Sequence, residues 1–219
     1  MKRWLLFSAV LFLQACAFAP PVYYAEEIRA QIVDEETGKP LEKVIVVAQW
    51  EAEGVGLGDT PPNERLRIYE TITDENGFFT IPSGTMTHSL SHRLTDHDPD
   101  LFIYKNSYKP RVIGNHKAHD GVIRSSRWQG KQIKLSLLEK WNLPLDVERQ
   151  IFNGFSSAIK DSRVREDWKN YPRMTLALYE EKQRLLKKGA GPVLMPWVED
   201  VKSLPLEDKK FLEEFKNDF

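Results

Sequence analysis

Residues Glu26 to Trp50 read EEIRAQIVDEETGKPLEKVIVVAQW, and Tyr69 to Pro82 read YETITDENGFFTIP. In the first stretch Ile28, Ala30 and Ile32 alternate with Arg29, Gln31 and Val33, the period-two pattern of a half-buried strand. Residues 34–40 (DEETGKP) follow as a hairpin connection, Gly38 supplying a positive φ and Pro40 stopping further pairing. Val44-Ile45-Val46-Val47-Ala48 is β-branched and apolar on both faces, as a strand covered on both sides must be. Trp50 continues its even-numbered face. Thr73 to Gly77 reads as a turn that releases a strand at Phe78-Phe79-Thr80-Ile81. Between these segments, Glu51 to Glu64 is rich in Gly and Pro and reads as a surface excursion. It lacks the lysine and the hydroxyl residue of a phosphate loop.

The spaced residues Asp34, Thr37-Gly38, Pro40-Leu41 and Val44, then Thr73-Asp74, Gly77, Phe79 and Ile81, resemble the carboxypeptidase regulatory-like domain. Leu101 to Lys109 resembles that family's strand-turn-strand, with Ser107 in place of a glycine, and Lys131 to Leu137 resembles its closing strand. The resemblance implies a seven-stranded transthyretin-like (prealbumin-like) β-sandwich over 26–138, serving as a non-catalytic accessory or binding module. Glu42-Lys43 stands where the family has small residues, and Glu51–Glu64 and Ser83–Pro99 lengthen two loops.

Upstream, Lys2 and Arg3 precede an apolar run from Trp4 to Leu13, the length of a signal-peptide core and too short to span a bilayer. The run ends in Leu13-Gln14-Ala15-Cys16, which resembles the bacterial lipobox, with Gln14 in place of the usual small residue. The resemblance implies that residues 1–15 are a lipoprotein signal peptide and that Cys16 carries a diacylglyceryl thioether and an acylated amine. Each buried lipid methylene contributes about 0.8 kcal/mol, so two or more chains make a stable anchor. Ala17 at the next position resembles cargo sorted to the outer membrane. The expected location is therefore the periplasmic side of the outer membrane, with 16–25 a tether without regular structure. The alternative is an ordinary secretory signal cut near Ala19, releasing a soluble periplasmic protein. Cys16 is the only cysteine, so neither an internal disulfide nor a cysteine zinc cluster is available. The formal net charge of −1 offers no basic field for nucleic acid.

After Leu138 the spacing turns helical. Val147, Ile151, Phe155, Ala158 and Ile159 predict one helix, begun by Asn142 and Pro144. Met174, Leu178, Leu185 and Leu186 predict a second, with Glu180 four residues before Arg184 and a stop at Gly189. Phe211, Leu212, Phe215 and Phe219 predict a third. Residues 139–219 thus read as a helical appendix to a mainly β chain. It would pack on the sandwich or dock a partner of the envelope.

Candidate chemistry is confined to the five histidines: His88, His92 and His97 in one stretch, His116 and His119 in another. On a helix, His88 and His92 would share one face. The two stretches flank the strand at Leu101–Tyr104, and a strand pair would bring them to one end of the sandwich. Neutral imidazole suits zinc or copper. The same segments also read as solvated polar loops, which lack the HExxH arrangement of zinc proteases. No GxSxG elbow is present, and Cys16 is committed to the anchor. The primary expectation is a protein without cofactor or catalytic activity that binds an envelope partner. The alternative is a periplasmic metal-binding protein or metallohydrolase built on the histidines. Carbohydrate binding would require Trp50 or Trp128 to be exposed.

Overall fold

The structure, a computed structural model, describes residues 21–218 except 57, 96, 117–121, 160–166, 192–193, 196–197 and 199. Cys16 and His119 lie outside the described residues. The described chain is mainly β, with eleven strands in three sheets followed by three α-helices. The strands are β1 (Val22–Ala25), β2 (Ile28–Asp34), β3 (Ile45–Gly54), β4 (Glu64–Ile72), β5 (Phe78–Ile81), β6 (Gly84–Thr87), β7 (His92–Leu94), β8 (Asp100–Tyr104), β9 (Arg111–Gly114), β10 (Ile123–Arg124) and β11 (Gln132–Leu135). The helices are α1 (Leu145–Ile159), α2 (Pro172–Lys187) and α3 (Leu206–Glu213).

β3 organises the packing because both of its faces are apolar. It pairs antiparallel with β4 on one edge and with β8 on the other, and the central sheet runs β4-β3-β8-β9. Val44, Val46, Ala48 and Trp50 enter one core, shared with Ile28, Ala30 and Ile32 of β2, Phe79 and Ile81 of β5, and Ile133 and Leu135 of β11. Ile45 and Val47 enter a second core, on which Phe152, Phe155, Met174, Leu178, Leu185 and Leu212 of the helices pack. The order of layers is therefore sheet, central sheet, helices. The double-sided burial foreseen for Val44–Ala48 is met, with helices supplying one of the two covers. The helices pack against the sheet, as one of the two expectations held.

Turn chemistry holds the layers in register. Gly77, at φ 73°, lets the 73–77 turn pass so close to β2 that a Cβ there would meet the Ile32 carbonyl oxygen at 2.5 Å. Asp34 Oδ1 accepts the Thr37 amide at 2.8 Å, and its Oδ2 accepts the Tyr108 hydroxyl at 3.1 Å. These donors hold its carboxyl below the usual carboxylate range, the Thr37 amide contributing most. Thr73 Oγ1 donates to the Leu41 carbonyl at 2.6 Å and accepts the Val44 amide at 2.8 Å, setting where the central strand begins.

Several expectations are corrected. The excursion at 51–64 is shorter, because β3 continues to Gly54 past a register shift at Trp50/Glu51 and β4 begins at Glu64. The segment 83–99, read as a lengthened loop, contains β6 and β7, the latter pairing with β3 beyond the shift. The tether read as unstructured through Ala25 ends earlier, since Val22–Ala25 forms β1 between β10 and β6. On α1 the buried stripe is Glu148, Phe152, Phe155, Ser156 and Ile159, while Ala158 is exposed. On α2, Leu186 is exposed. Trp50 and Trp128 are both buried, which removes the carbohydrate reading that needed them at the surface.

Candidate functional site

The histidines have separate employments. His88 is buried on the β1–β6 side. Its Nδ1 donates to the Ser89 carbonyl at 2.6 Å, its Nε2 accepts the Tyr23 hydroxyl at 2.9 Å, and its ring stacks on that of Tyr23 at 5.1 Å. His92 lies on β7, not on a helix. Its Nε2 donates to the Pro62 carbonyl at 3.0 Å, leaving Nδ1 to accept from the Ser91 hydroxyl at 3.1 Å. The antiparallel pair β8–β9, with Asp100 opposite Gly114, does bring His97 and His116 together. Their ring centroids are 6.0 Å apart, and His97 Nδ1 is 3.4 Å from Asp100 Oδ1. Among the described residues no group of three or more histidine, cysteine or carboxylate side chains is arranged to hold a metal ion.

Behind this pair, Asn115 is fully buried and joins three segments. Its amide group donates to the carbonyls of Asp98 at 2.9 Å and Ser125 at 3.0 Å, and its side-chain oxygen accepts the Arg127 amide at 2.9 Å. Asp98 is also buried, and desolvation pushes its carboxyl up to about 7.

A different place offers an open cavity. Where β8 ends at Tyr104, the chain passes through Asn106 and Ser107 beside the start of α1 and the middle of α2. A cleft of about 360 Å³ opens there, lined by Tyr104, Asn106, Leu138, Asn142, Glu148 and Arg184 among others. A smaller recess of about 160 Å³ adjoins it and shares Tyr104, Asn106, Glu181 and Arg184. Tyr104 sits at the junction because period-two alternation along β8 directs it, with Phe102, toward the helices. Its ring meets Phe152 edge-on at 6.4 Å. Burial, reinforced by Glu181, pushes its hydroxyl far above the usual phenol range, so it remains a neutral hydrogen-bonding group.

Arg184 is clamped at the back of the cleft. Its Nε donates to Glu181 Oε2 at 2.8 Å, its Nη2 reaches Glu148 and Glu181, and Lys188 Nζ stands 3.6 Å from Glu148 Oε2. The Glu181 hydrogen bonds, followed by that of Glu148, raise the guanidinium further above its usual value. The expected helical pair of Glu180 with Arg184 is thus replaced by partners one residue on and one helix away. Glu139, Glu148, Glu180 and Glu181 outnumber Arg184 and Lys188 around the two recesses, so the site favours a cationic or hydrogen-bond-donating group. Sequence reading had no means to find it, because Glu148 and Arg184 meet only once α1 and α2 have packed on the sheet.

No protein-family model matches the chain, and no curated protein matches it. Solved structures that align with part of the chain include the following. A 3-chlorocatechol 1,2-dioxygenase from Rhodococcus opacus 1CP is 16% identical at a TM-score of 0.33, over 55% of this chain and 61% of that one. A mutant catechol 1,2-dioxygenase from Acinetobacter radioresistens is 12% identical at a TM-score of 0.26, over 54% of this chain and 52% of that one. An alternative pilotin from the type II secretion system of Vibrio cholerae is 18% identical at a TM-score of 0.25, over 51% of this chain and 94% of that one. Among the described residues no helix is long and apolar enough to cross a membrane.

Proposed function

We propose that this protein is a lipid-anchored, non-catalytic binding protein of the bacterial cell envelope, facing the periplasm from the outer membrane. In this reading a transthyretin-like sandwich forms the body. Its seven strands correspond to β11-β2-β5 facing β4-β3-β8-β9, with β7 and the β10-β1-β6 sheet as additions. The anchor rests on the Leu13-to-Cys16 motif, and five residues separate Cys16 from β1. The observation that carries the binding role is the cleft at Tyr104, where Arg184, Glu148 and Glu181 are fixed in ion pairs beside an accessible space. Ion pairs fixed in advance reduce the ordering cost of binding and fit recognition.

The test is affinity capture from detergent-solubilised envelopes with the full acylated chain, compared with Asn106→Trp. Asn106 is exposed and lines both recesses, so the indole fills the cleft and leaves the Arg184 clamp intact. The wild type is expected to retain an envelope component that the variant loses. Equal retention by both overturns the assignment of the cleft.

A further inference from the structure

The small sheet β10-β1-β6 has two unlike faces. Ala25 and Met86 point inward and belong to the core beneath the central sheet. The register places Tyr24 opposite both Ile123 and Thr85, and Val22 opposite Thr87, so these five side chains share the outer face. Val22, Tyr24 and Ile123 are 48%, 43% and 54% exposed, and the adjoining Val122 is 59% exposed. Three large apolar side chains thus stand in water on one face of a short sheet, with Thr85 and Thr87 beside them and Val122 at the edge just before β10. Isolated exposed apolar residues are ordinary, but a contiguous group marks a contact surface.

We propose that this face lies against the lipid surface and orients the protein on its membrane. The occupant follows from chain length. Cys16 is six residues before Val22, and six residues extend at most about 20 Å. An acylated Cys16 therefore holds β1 within that distance of the headgroups, whatever course the intervening chain takes. Tyr24 has the ring and hydroxyl suited to the headgroup boundary, and Val22 and Ile123 supply apolar area without a charge to desolvate. The helices cover the opposite face of the central sheet, so the cleft at Tyr104 and α3 would be turned toward the periplasm. The inference rests on the proposed anchor and adds an orientation to it.

Cys16 is the only cysteine, and acylation consumes its thiol, so an introduced cysteine is a unique labelling site. The full acylated chain carrying Ile123→Cys, and separately Leu206→Cys on α3, is labelled with an environment-sensitive nitrobenzoxadiazole. Each is reconstituted in phosphatidylethanolamine–phosphatidylglycerol vesicles containing doxyl-labelled phosphatidylcholine. Both positions are well exposed, Leu206 at 70%, so neither substitution removes core packing, and Tyr24→Cys serves as a second site on the sheet. Quenching at 123 and at 24 is expected to exceed that at 206 by about threefold or more. Equal quenching, with acylated Cys16 confirmed by mass in the same sample, overturns the orientation and leaves the anchor standing. An unacylated chain that stays in the aqueous phase overturns the anchor, and the orientation with it.

Discussion

Glu70 on β4 caps the N-terminus of α2: its Oε1 accepts the Met174 amide at 2.8 Å, and its Oε2 accepts the Arg173 amide at 3.1 Å. The helix opens with Tyr171 and Pro172, and Tyr171 makes no side-chain cap, so its first free amides depend on a carboxylate 103 and 104 residues away. This contact joins the helical layer to the sheet by a polar bond as well as by apolar packing. Burial dominates the electrostatics of Glu70 and pushes its carboxyl up to about 7, although the two amides and the Arg173 guanidinium act in the opposite direction.

The consequence is a pH dependence with a defined sign. The folded protein retains the Glu70 proton up to about pH 7, whereas an unfolded chain releases it near 4.5. Folding therefore takes up a proton between these values, and stability falls as pH rises through that window, by up to roughly 3 kcal/mol from this residue. Asp98 contributes in the same direction. Melting temperatures measured between pH 5 and pH 8 are expected to decline for the wild type and to decline less for Glu70→Gln. An unchanged slope in the variant contradicts the assignment.

Asn115 is expected to be the most sensitive polar position near the histidines. Truncation to alanine removes the side-chain partner of the buried Asp98 carbonyl and of the part-buried Ser125 carbonyl and Arg127 amide. The one fully buried bond costs about 1–3 kcal/mol when unmade and the two part-buried ones less, so a loss of about 2 kcal/mol or more in denaturant unfolding is expected. A cost below about 1 kcal/mol would show that these loops rearrange freely.

Arg65 reaches from β4 to the helical layer. It pairs with Asp167, and its Nη2 donates to the Ile159 carbonyl at the end of α1 at 2.8 Å. Both side chains are nearly inaccessible, at 9% and 2% exposed. Arg65→Met leaves the Asp167 charge buried without its guanidinium, and a loss of about 3–5 kcal/mol is expected. Pairing it with Asp167→Asn should recover part of that loss. A double variant as unstable as the sum of the two singles contradicts the pairing.

Added zinc or copper is expected to leave the melting temperature unchanged. His88 has both ring nitrogens engaged, and His92 has both within hydrogen-bonding distance of protein oxygens. A rise of several degrees that His97→Ala and His116→Ala both abolish would instead restore the metal-binding reading, centred on the pair of histidine rings that meet among the described residues.

The central strand was readable because its signal is local. Five successive apolar residues, Val44 to Ala48, require cover on both faces, and that requirement dictates a layer on each side. The turns at Gly38 and Gly77 were readable for the same reason, since their positive φ values of 67° and 73° narrow the choice of residue. Phe155 and Ile159 of the expected α1 stripe are buried, whereas Val147 and Ile151 are only half-buried. Val147 and Ile151 fit a helical stripe as well as Phe152 does, and only packing against Tyr104 decides between them. β6 and β7 were hidden because Thr, Ser and His in 83–97 carry little hydrophobic pattern, and these short strands are held by partners distant in sequence. The cleft lies deeper still, at a junction of three elements that no local spacing encodes.

The covalent state of the mature N-terminus distinguishes a lipid-anchored chain from a released one. Intact mass and peptide mass spectrometry of the protein purified from bacterial membranes address it directly. The expected chain begins at Cys16, with a diacylglyceryl thioether and an acylated amine on that residue. A chain that begins near Ala19 with a free amine, recovered from the soluble periplasmic fraction, would contradict it.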